Sequence, residues 1–248
     1  MQQENQTEIT LLGGRVRLLV TATGGFRPGL DAVLLAAACP AREGERVLDM
    51  GCGTFAAGLC LAARVKKVQL TGAEIVPEMA DLARRNAALN EPIAPAKIVC
   101  TDILSTHSDL PTRGFGHVIC NPPYLESGTY MASPDDLRAH AMGHRDDEGD
   151  LGAWIRAAHK VLISKGSLTL IHRADQMDHV IQALGRMFGD ITIIPFWPHA
   201  NEPARRVIVR AFKDRRGPLT LHPGVILHGP DEAWTPAAHA ILADGAEL

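Results

Sequence analysis

The chain reads as an α/β protein built on a mostly parallel sheet, and three observations predict this. Short apolar runs alternate with helix-like segments from Arg46 onward, the rhythm of a parallel sheet covered on both faces. A glycine-rich turn, "DMGCGTFA", leads out of the first of these runs, as at the strand-to-helix turns where ligands sit in such sheets. At 248 residues with 46% apolar and 21% charged side chains, there is enough material for one large core of ordinary globular composition.

The elements follow in order. "EITLLGG" and "RVRLLVTA" are strand-like and meet at Gly13-Gly14, a hairpin signal. After the loop "GGFRPG", Leu30 to Cys39 reads as a helix. Residues 1–45 are therefore expected to form a hairpin-and-helix extension packed on a main domain, 46–248. "RVLDM" is the first strand of that domain, and the turn from Gly51 runs into a helix ending near Ala63. "KVQLTGAEI" is the second strand. Pro77 to Asn90 is a helix, with proline in its first turn and apolar positions at Met79, Leu82, Ala83 and Ala87. "AKIVCTDI" and "GHVIC" are the third and fourth strands, "DLGAWIRAAHKVL" a helix, "GSLTLIHRA" a fifth strand and Asp175 to Phe188 a helix. "DITIIPFW" and "RRVIVRAFK" are separated by too little chain for a helix, so they should pair antiparallel. The expected architecture is Rossmann-like: seven strands, one of them a reversed edge strand, with helices on both faces. Leu125 to Asp150, with seven acidic residues and two arginines, is expected to be a solvated lid or loop.

Bulk properties narrow the class. The net charge of −3 carries no global basic field, so a polyanion site must be a local patch. The polar start "MQQENQTEIT" lacks the order of a signal peptide, and the apolar run Ala32 to Cys39 is too short to span a bilayer. No membrane association is expected. Five cysteines without a C-x-x-C pair read as reduced thiols of a cytoplasmic protein, with no metal site.

The glycine turn admits two readings. Gly51-x-Gly53-x-x-Ala56, with Glu74 further on, fits the dinucleotide pattern. Asp49, two residues before the first glycine, argues for a cationic ligand instead, such as the amino group of a methionine moiety. The first three strands each end in an acid, Asp49, Glu74 and Asp102. On that reading Asp49, Gly51, Cys52 and Gly53 hold the amino-acid end, Glu74 accepts from two ribose hydroxyls, and Asp102 accepts from an adenine amino group. Ile75 and Ile103 supply apolar faces for the ring. The competing reading makes these acids helix caps or surface residues, and Cys52 a small core residue. The chain is similar to class I S-adenosylmethionine-dependent methyltransferases from about Arg46 to Lys213. It departs at Phe55, where that loop more often has a small residue, and Phe55 is expected to narrow or reshape the cofactor entrance.

"HVICNPPYLES" leaves the fourth strand and at once turns a rigid corner, Asn121-Pro122-Pro123-Tyr124. It matches the N-P-P-Y motif of methyltransferases acting on planar nitrogen. Such a nitrogen delocalises its lone pair. The side-chain carbonyl of Asn121 and the backbone carbonyl of Pro122 can accept its hydrogens and draw it toward a tetrahedral geometry, while Tyr124 stacks the planar target. Asn121 also adjoins the cofactor. The flanks "FRPGLDAVLLAA" and "NEPARRVIVRAF" resemble the bacterial tRNA1(Val) adenine-N6-methyltransferase family, a resemblance that places Arg27 and Asp31 on the cofactor side and makes structured RNA, a tRNA above all, the expected partner. Ala204 to Arg216 holds six cations against one acid. Arg205, Arg206, Arg210 and Lys213 are therefore candidate RNA-binding residues, extended by Arg15, Arg17 and Arg27, against the alternative of an edge strand guarded by charge. Protein-glutamine, rRNA or DNA amino-methylation and a non-catalytic cofactor-binding module stay open as alternatives. His140 and His144 show no third ligand, and no Ser-His-Asp arrangement stands out.

Overall fold

The computed structural model describes residues 6–21, 29–90, 95–106, 108–122 and 151–248. Arg27, Pro123, Tyr124, His140, His144 and the expected lid lie outside them.

The hairpin is β1 (Gln6–Leu11) and β2 (Val16–Thr21), and α1 spans Leu30–Ala38. The main sheet begins with β3 (Arg46–Met50), followed by α2 (Ala56–Arg64), β4 (Gln69–Glu74), α3 (Pro77–Leu89), β5 (Ala96–Cys100) and β6 (Phe115–Cys120). Then come α4 (Leu151–Val161), β7 (Leu162–Arg173), α5 (Met177–Leu184), β8 (Phe188–Trp197) and β9 (Arg206–Lys213). Two short strands, β10 (Thr220–Leu221) and β11 (Val225–Ile226), precede α6 (Pro236–Leu242).

Among the described residues the sheet has nine strands, in the order β10-β8-β9-β7-β6-β3-β4-β5, with β11 also on β8. The parallel α/β class holds, but two details differ from expectation. The extra strands are the two-residue pieces β10 and β11, which run parallel to β8. The reversed strand, β9, lies inside the sheet, antiparallel to both β7 and β8. Its run Val207-Ile208-Val209 is buried, as a strand covered on both faces requires. The reading of β9 as a charge-guarded edge therefore falls.

The helices divide between the faces. On one, α1, α2 and α6 pack with the hairpin, whose Val16, Leu18 and Val20 join the same buried cluster as Val47, Leu59 and Ile119. On the other, α4 and α5 cover Leu48, Val118, Leu168 and Val209. This alternation puts Asp49 on the α1–α2 face, because it neighbours Leu48 and Met50 of the opposite cluster along β3. Among the described residues, no helix is long and apolar enough to cross a membrane.

Candidate active site

The glycine turn is fixed almost entirely through its backbone. The amides of Gly51 and Cys52 both donate to the carbonyl of Ala73, at 2.9 Å each. Gly53 donates to Glu74 Oε2 at 2.8 Å. Gly51 and Gly53 have φ of 70° and 51°, a left-handed backbone that glycine adopts without a Cβ clash. At Gly51 the constraint is double, since a Cβ would lie 2.6 Å from the indole of Trp154 on α4.

Phe55 also has positive φ, 67°, but it does not narrow the cofactor entrance as expected. Its side chain is fully buried. The ring fills space left by Gly58 and Gly72, where an added Cβ would meet it at 2.4 and 2.9 Å. The turn points this ring into the core, and glycines on α2 and β4 make the room.

Beside the turn opens a cavity of about 420 Å³, within the range of small-molecule sites. Asp31, Asp49, Gly51, Cys52, Gly53, Asn121 and Arg206 all line it, together with Thr54 and Met79. Asp49 is buried, and its Oδ2 accepts from the Gly58 amide at 3.0 Å. Burial pushes its carboxyl up to about 7; the Gly58 amide opposes this and the Glu74 charge adds to it. The Cys52 thiol is pushed well up by burial first and then by the Asp49 and Glu74 charges, so it faces the cavity as a neutral thiol. Glu74, also buried, accepts from the Ile75 and Val76 amides at 3.0 Å each as well as from Gly53. Three bonds orient the carboxylate and leave one of its four acceptor positions for a ligand.

The remaining sequence-selected residues divide. Asp102 accepts from the Leu104 amide at 2.9 Å in a tight turn beyond β5. Ile103 is half-buried there, and Ile75 is exposed after β4. These three stand beside the cavity rather than lining it. Asn121 and Pro122 follow directly on β6, so the first half of the proline corner is carried to the cavity by the sheet.

The cationic segment is not a single strip. A strand points successive side chains to opposite faces and carries them along the sheet. Arg206 pairs with Asp31 at 3.1 Å and lines the cavity. Arg210 donates to the carbonyl of Ala38 at 3.2 Å, at the carboxyl end of α1, where a cation satisfies a terminal helix carbonyl. Lys213 is buried and donates to the carbonyls of His159 and Leu162 at 2.6 and 2.8 Å. Burial lowers its pKa; the positive charge of Arg113 adds to this and Asp214 opposes it. Lys213 is thus an anchor for the end of α4, not an RNA contact. Seven residues of strand set Arg206 and Lys213 about 23 Å apart. Of the four RNA candidates only Arg205 is exposed, near Glu202 at 3.4 Å. Arg17 pairs with Glu8, and Arg15 bonds the carbonyls of Leu12 and Ala243.

Sequence reasoning missed three groups. Thr54 and Met79 line the cavity. Asn86 on α3 and Asn90 just past its end are buried; their four-residue spacing on the face that holds Ala83 and Ala87 was the available signal. A second polar cluster was also missed. His117 Nδ1 lies 2.7 Å from Ser167 Oγ, and its Nε2 lies 2.8 Å from Glu45 Oε2. This is a Ser-His-Glu arrangement, but it stands at the amino ends of the strands and Ser167 is completely buried.

The fold and this cavity define an S-adenosylmethionine-dependent methyltransferase. Residues 28–195 match the methyltransferase small domain family, and the chain belongs to it. Relatives named tRNA1(Val) (adenine(37)-N6)-methyltransferase include one from Porphyromonas gingivalis, 33% identical over 92% of this chain and 96% of its own length. Another, from Shewanella woodyi, is 27% identical over 64% of each chain, so that alignment spans just under two thirds of the relative. A solved structure described as a predicted O-methyltransferase from Agrobacterium tumefaciens is similar at 30% identity and a TM-score of 0.73, covering 88% of this chain and 98% of that one. The 16S rRNA N2 G1207 methyltransferase of Thermus thermophilus shares the fold at a TM-score of 0.56 and 14% identity, over 87% of this chain and 46% of that one.

The residues present fit the cofactor. Gly53 is open toward the cavity, with only the Met79 methyl 4.0 Å from an added Cβ. Asp31, Asp49 and Arg206, the last paired with Asp31 at 3.1 Å, line the same cavity and offer both signs of charge to a zwitterionic group.

Proposed function

We propose that this protein methylates the exocyclic amino group of an adenine in the anticodon loop of a tRNA. The observation that carries this reading is the placement of Asn121, first residue of the proline corner, on the same cavity as the glycine turn. The names of the relatives support adenine as the target and tRNA as its carrier.

Asp49, Asp31 and the amides of the turn would hold the amino-acid end of S-adenosylmethionine, with Arg206 beside its carboxylate. Glu74 would accept from the ribose, and Asp102, Ile75 and Ile103 would frame the adenine. When bound, the cofactor supplies an electrophilic methyl group. Asn121 and the Pro122 carbonyl accept the two hydrogens of the target amino group and turn its lone pair into the cavity. The rigid corner holds both acceptors in place beforehand, so little reorganisation accompanies reaction. Tyr124 stacks the base. No strong base is required, because the methylated, cationic amine is acidic. A loop adenine costs less to extrude than one in a duplex. Arg205 contacts phosphate at the cavity end of the sheet.

The test is methyl transfer from labelled S-adenosylmethionine to fractionated tRNA, rRNA, DNA and protein, followed by nucleoside digestion. N6-methyladenosine in tRNA is expected. Label on a ribose or other oxygen would favour the O-methyl chemistry named for the Agrobacterium relative, and label confined to protein would overturn the RNA reading.

A further inference from the structure

The hairpin at residues 6–21 does not line the cavity. Besides the exposed bond from Arg15 to the Ala243 carbonyl, its polar links to the rest of the α1–α2 face, among the described residues, run through two buried asparagines, Asn86 on α3 and Asn90 just past its end. Their bonds are nearly matched. Asn86 accepts from the Leu19 amide at 2.7 Å and donates to the Leu19 carbonyl at 3.1 Å. Asn90 accepts from the Arg17 amide at 3.0 Å and donates to the Arg17 carbonyl at 2.7 Å. Each amide therefore pairs with the β2 backbone as a neighbouring strand would. They differ in the third bond. Asn90 donates to the backbone of Asn86 at 2.7 Å, whereas Asn86 donates to the carbonyl of Thr54 at 3.0 Å, inside the glycine turn.

That bond falls where the turn needs holding. The Thr54 carbonyl belongs to the same peptide plane as the Phe55 amide, which donates to the Cys52 carbonyl at 2.7 Å. Phe55 carries the left-handed backbone described above, a conformation that is unfavourable for a non-glycine residue. Rotation of the plane would relieve it and would break both bonds. The N-cap residue Phe55 supplies no side-chain bond to the start of α2, whose first turn is held at Gly58 by Asp49. Ala73 and Glu74 fix the first half of the turn, and Asn86 fixes the second.

We propose that Asn86 is a positioning residue for the cofactor turn and that it couples this turn to the amino-terminal hairpin. Cofactor affinity then depends on a hairpin that never touches the cofactor, an inference that rests on the glycine turn being the cofactor's seat. Coupling of this kind is reciprocal: cofactor binding must tighten the hairpin.

Two measurements test it, the first on the unmodified chain. In hydrogen exchange with and without S-adenosylmethionine, peptides covering 49–58 and those covering 16–21 should both slow. Slowing at 49–58 alone overturns the coupling and leaves the cofactor site standing; slowing at neither overturns both. In calorimetry, Asn86→Ala should weaken S-adenosylmethionine binding roughly tenfold, the effect of leaving a buried polar group unpaired. Asn90→Ala removes two matched β2 bonds but none to the turn, so it should lower the melting temperature comparably and shift affinity by less than about twofold. Equal loss of affinity in the two variants, or none in Asn86→Ala, overturns the assignment.

Discussion

The two ends of the sheet carry polar clusters of comparable quality and opposite meaning. At the carboxyl ends, Asp49 and Asn121 line an open cavity, and the three bonds of Glu74 leave it one acceptor position for a ligand. At the amino ends, Ser167, His117 and Glu45 form a chain of contacts of 2.7 and 2.8 Å with the order of a nucleophile, a base and an orienting acid. Its serine has no exposed surface, so no substrate can reach the oxygen. The cluster instead satisfies a buried imidazole between β6 and β7, where His117 and Ser167 are register partners. Residue types and distances alone do not separate the two ends. Access does, and access follows from strand direction, since the open crevice of a parallel sheet lies beyond its carboxyl ends.

The largest expected effect breaks the carboxyl end. Asn121→Ala should lower kcat by about two to three orders of magnitude, the scale for losing a pre-placed polar group, with S-adenosylmethionine affinity nearly unchanged in calorimetry. Near-normal turnover would remove Asn121 from the chemistry.

At the amino end the expected damage is to stability alone. Ser167→Ala leaves His117 Nδ1 without its partner and should cost about 1–3 kcal/mol in denaturant unfolding. Methyl transfer at a temperature where the variant is folded should match the unmodified protein. A specific loss of turnover would make the buried cluster functional after all.

The raised carboxyl of Asp49 sharpens the contrast through pH. Its folded-state pKa of about 7 lies above the ordinary value, so the folded chain holds an extra proton between about 4 and 7. Stability from this group is therefore present at low pH and falls as pH rises through that window. A cationic ligand group favours the ionised form. S-adenosylmethionine affinity should then rise by up to about tenfold per pH unit below 7 and level off above it. Asp49→Asn should flatten this dependence in calorimetry between pH 5.5 and 7.5; an unchanged slope would assign the titration to another group.

The smallest effect separates the surface cation from the buried one. Arg205→Ala should lower the slope of log K against log salt for tRNA binding by about 0.7–0.9. Lys213→Met should leave that slope alone and change only the melting temperature. A salt slope altered by Lys213→Met would return that lysine to the RNA surface.

Much of the working end was legible in the sequence because its signals are local. A strand, a glycine turn and a helix follow one another within a few residues, and acids at strand ends are placed by strand direction. Asn121 follows β6 with no intervening chain. The unread features are non-local. Whether Arg206 and Lys213 face solvent depends on the strands beside β9, and the short chain between β8 and β9 told only that they pair. The unbroken Val207-Ile208-Val209 run was the cue that β9 is interior. Phe55 looked like an obstruction because the glycines that receive its ring, Gly58 and Gly72, lie on two other elements. Asn86 and Asn90 resembled ordinary helix residues until β2 was seen to pass beside them.

The proposed methylation of tRNA adenine in the carboxyl-end cavity can be read by nucleoside mass spectrometry of tRNA from cells lacking the gene, complemented with each variant. N6-methyladenosine in the target tRNA should vanish in the deletion. It should return with the unmodified chain and with Ser167→Ala, and stay absent with Asn121→Ala. An unchanged N6-methyladenosine level in the deletion, or its full restoration by Asn121→Ala, would contradict the claim.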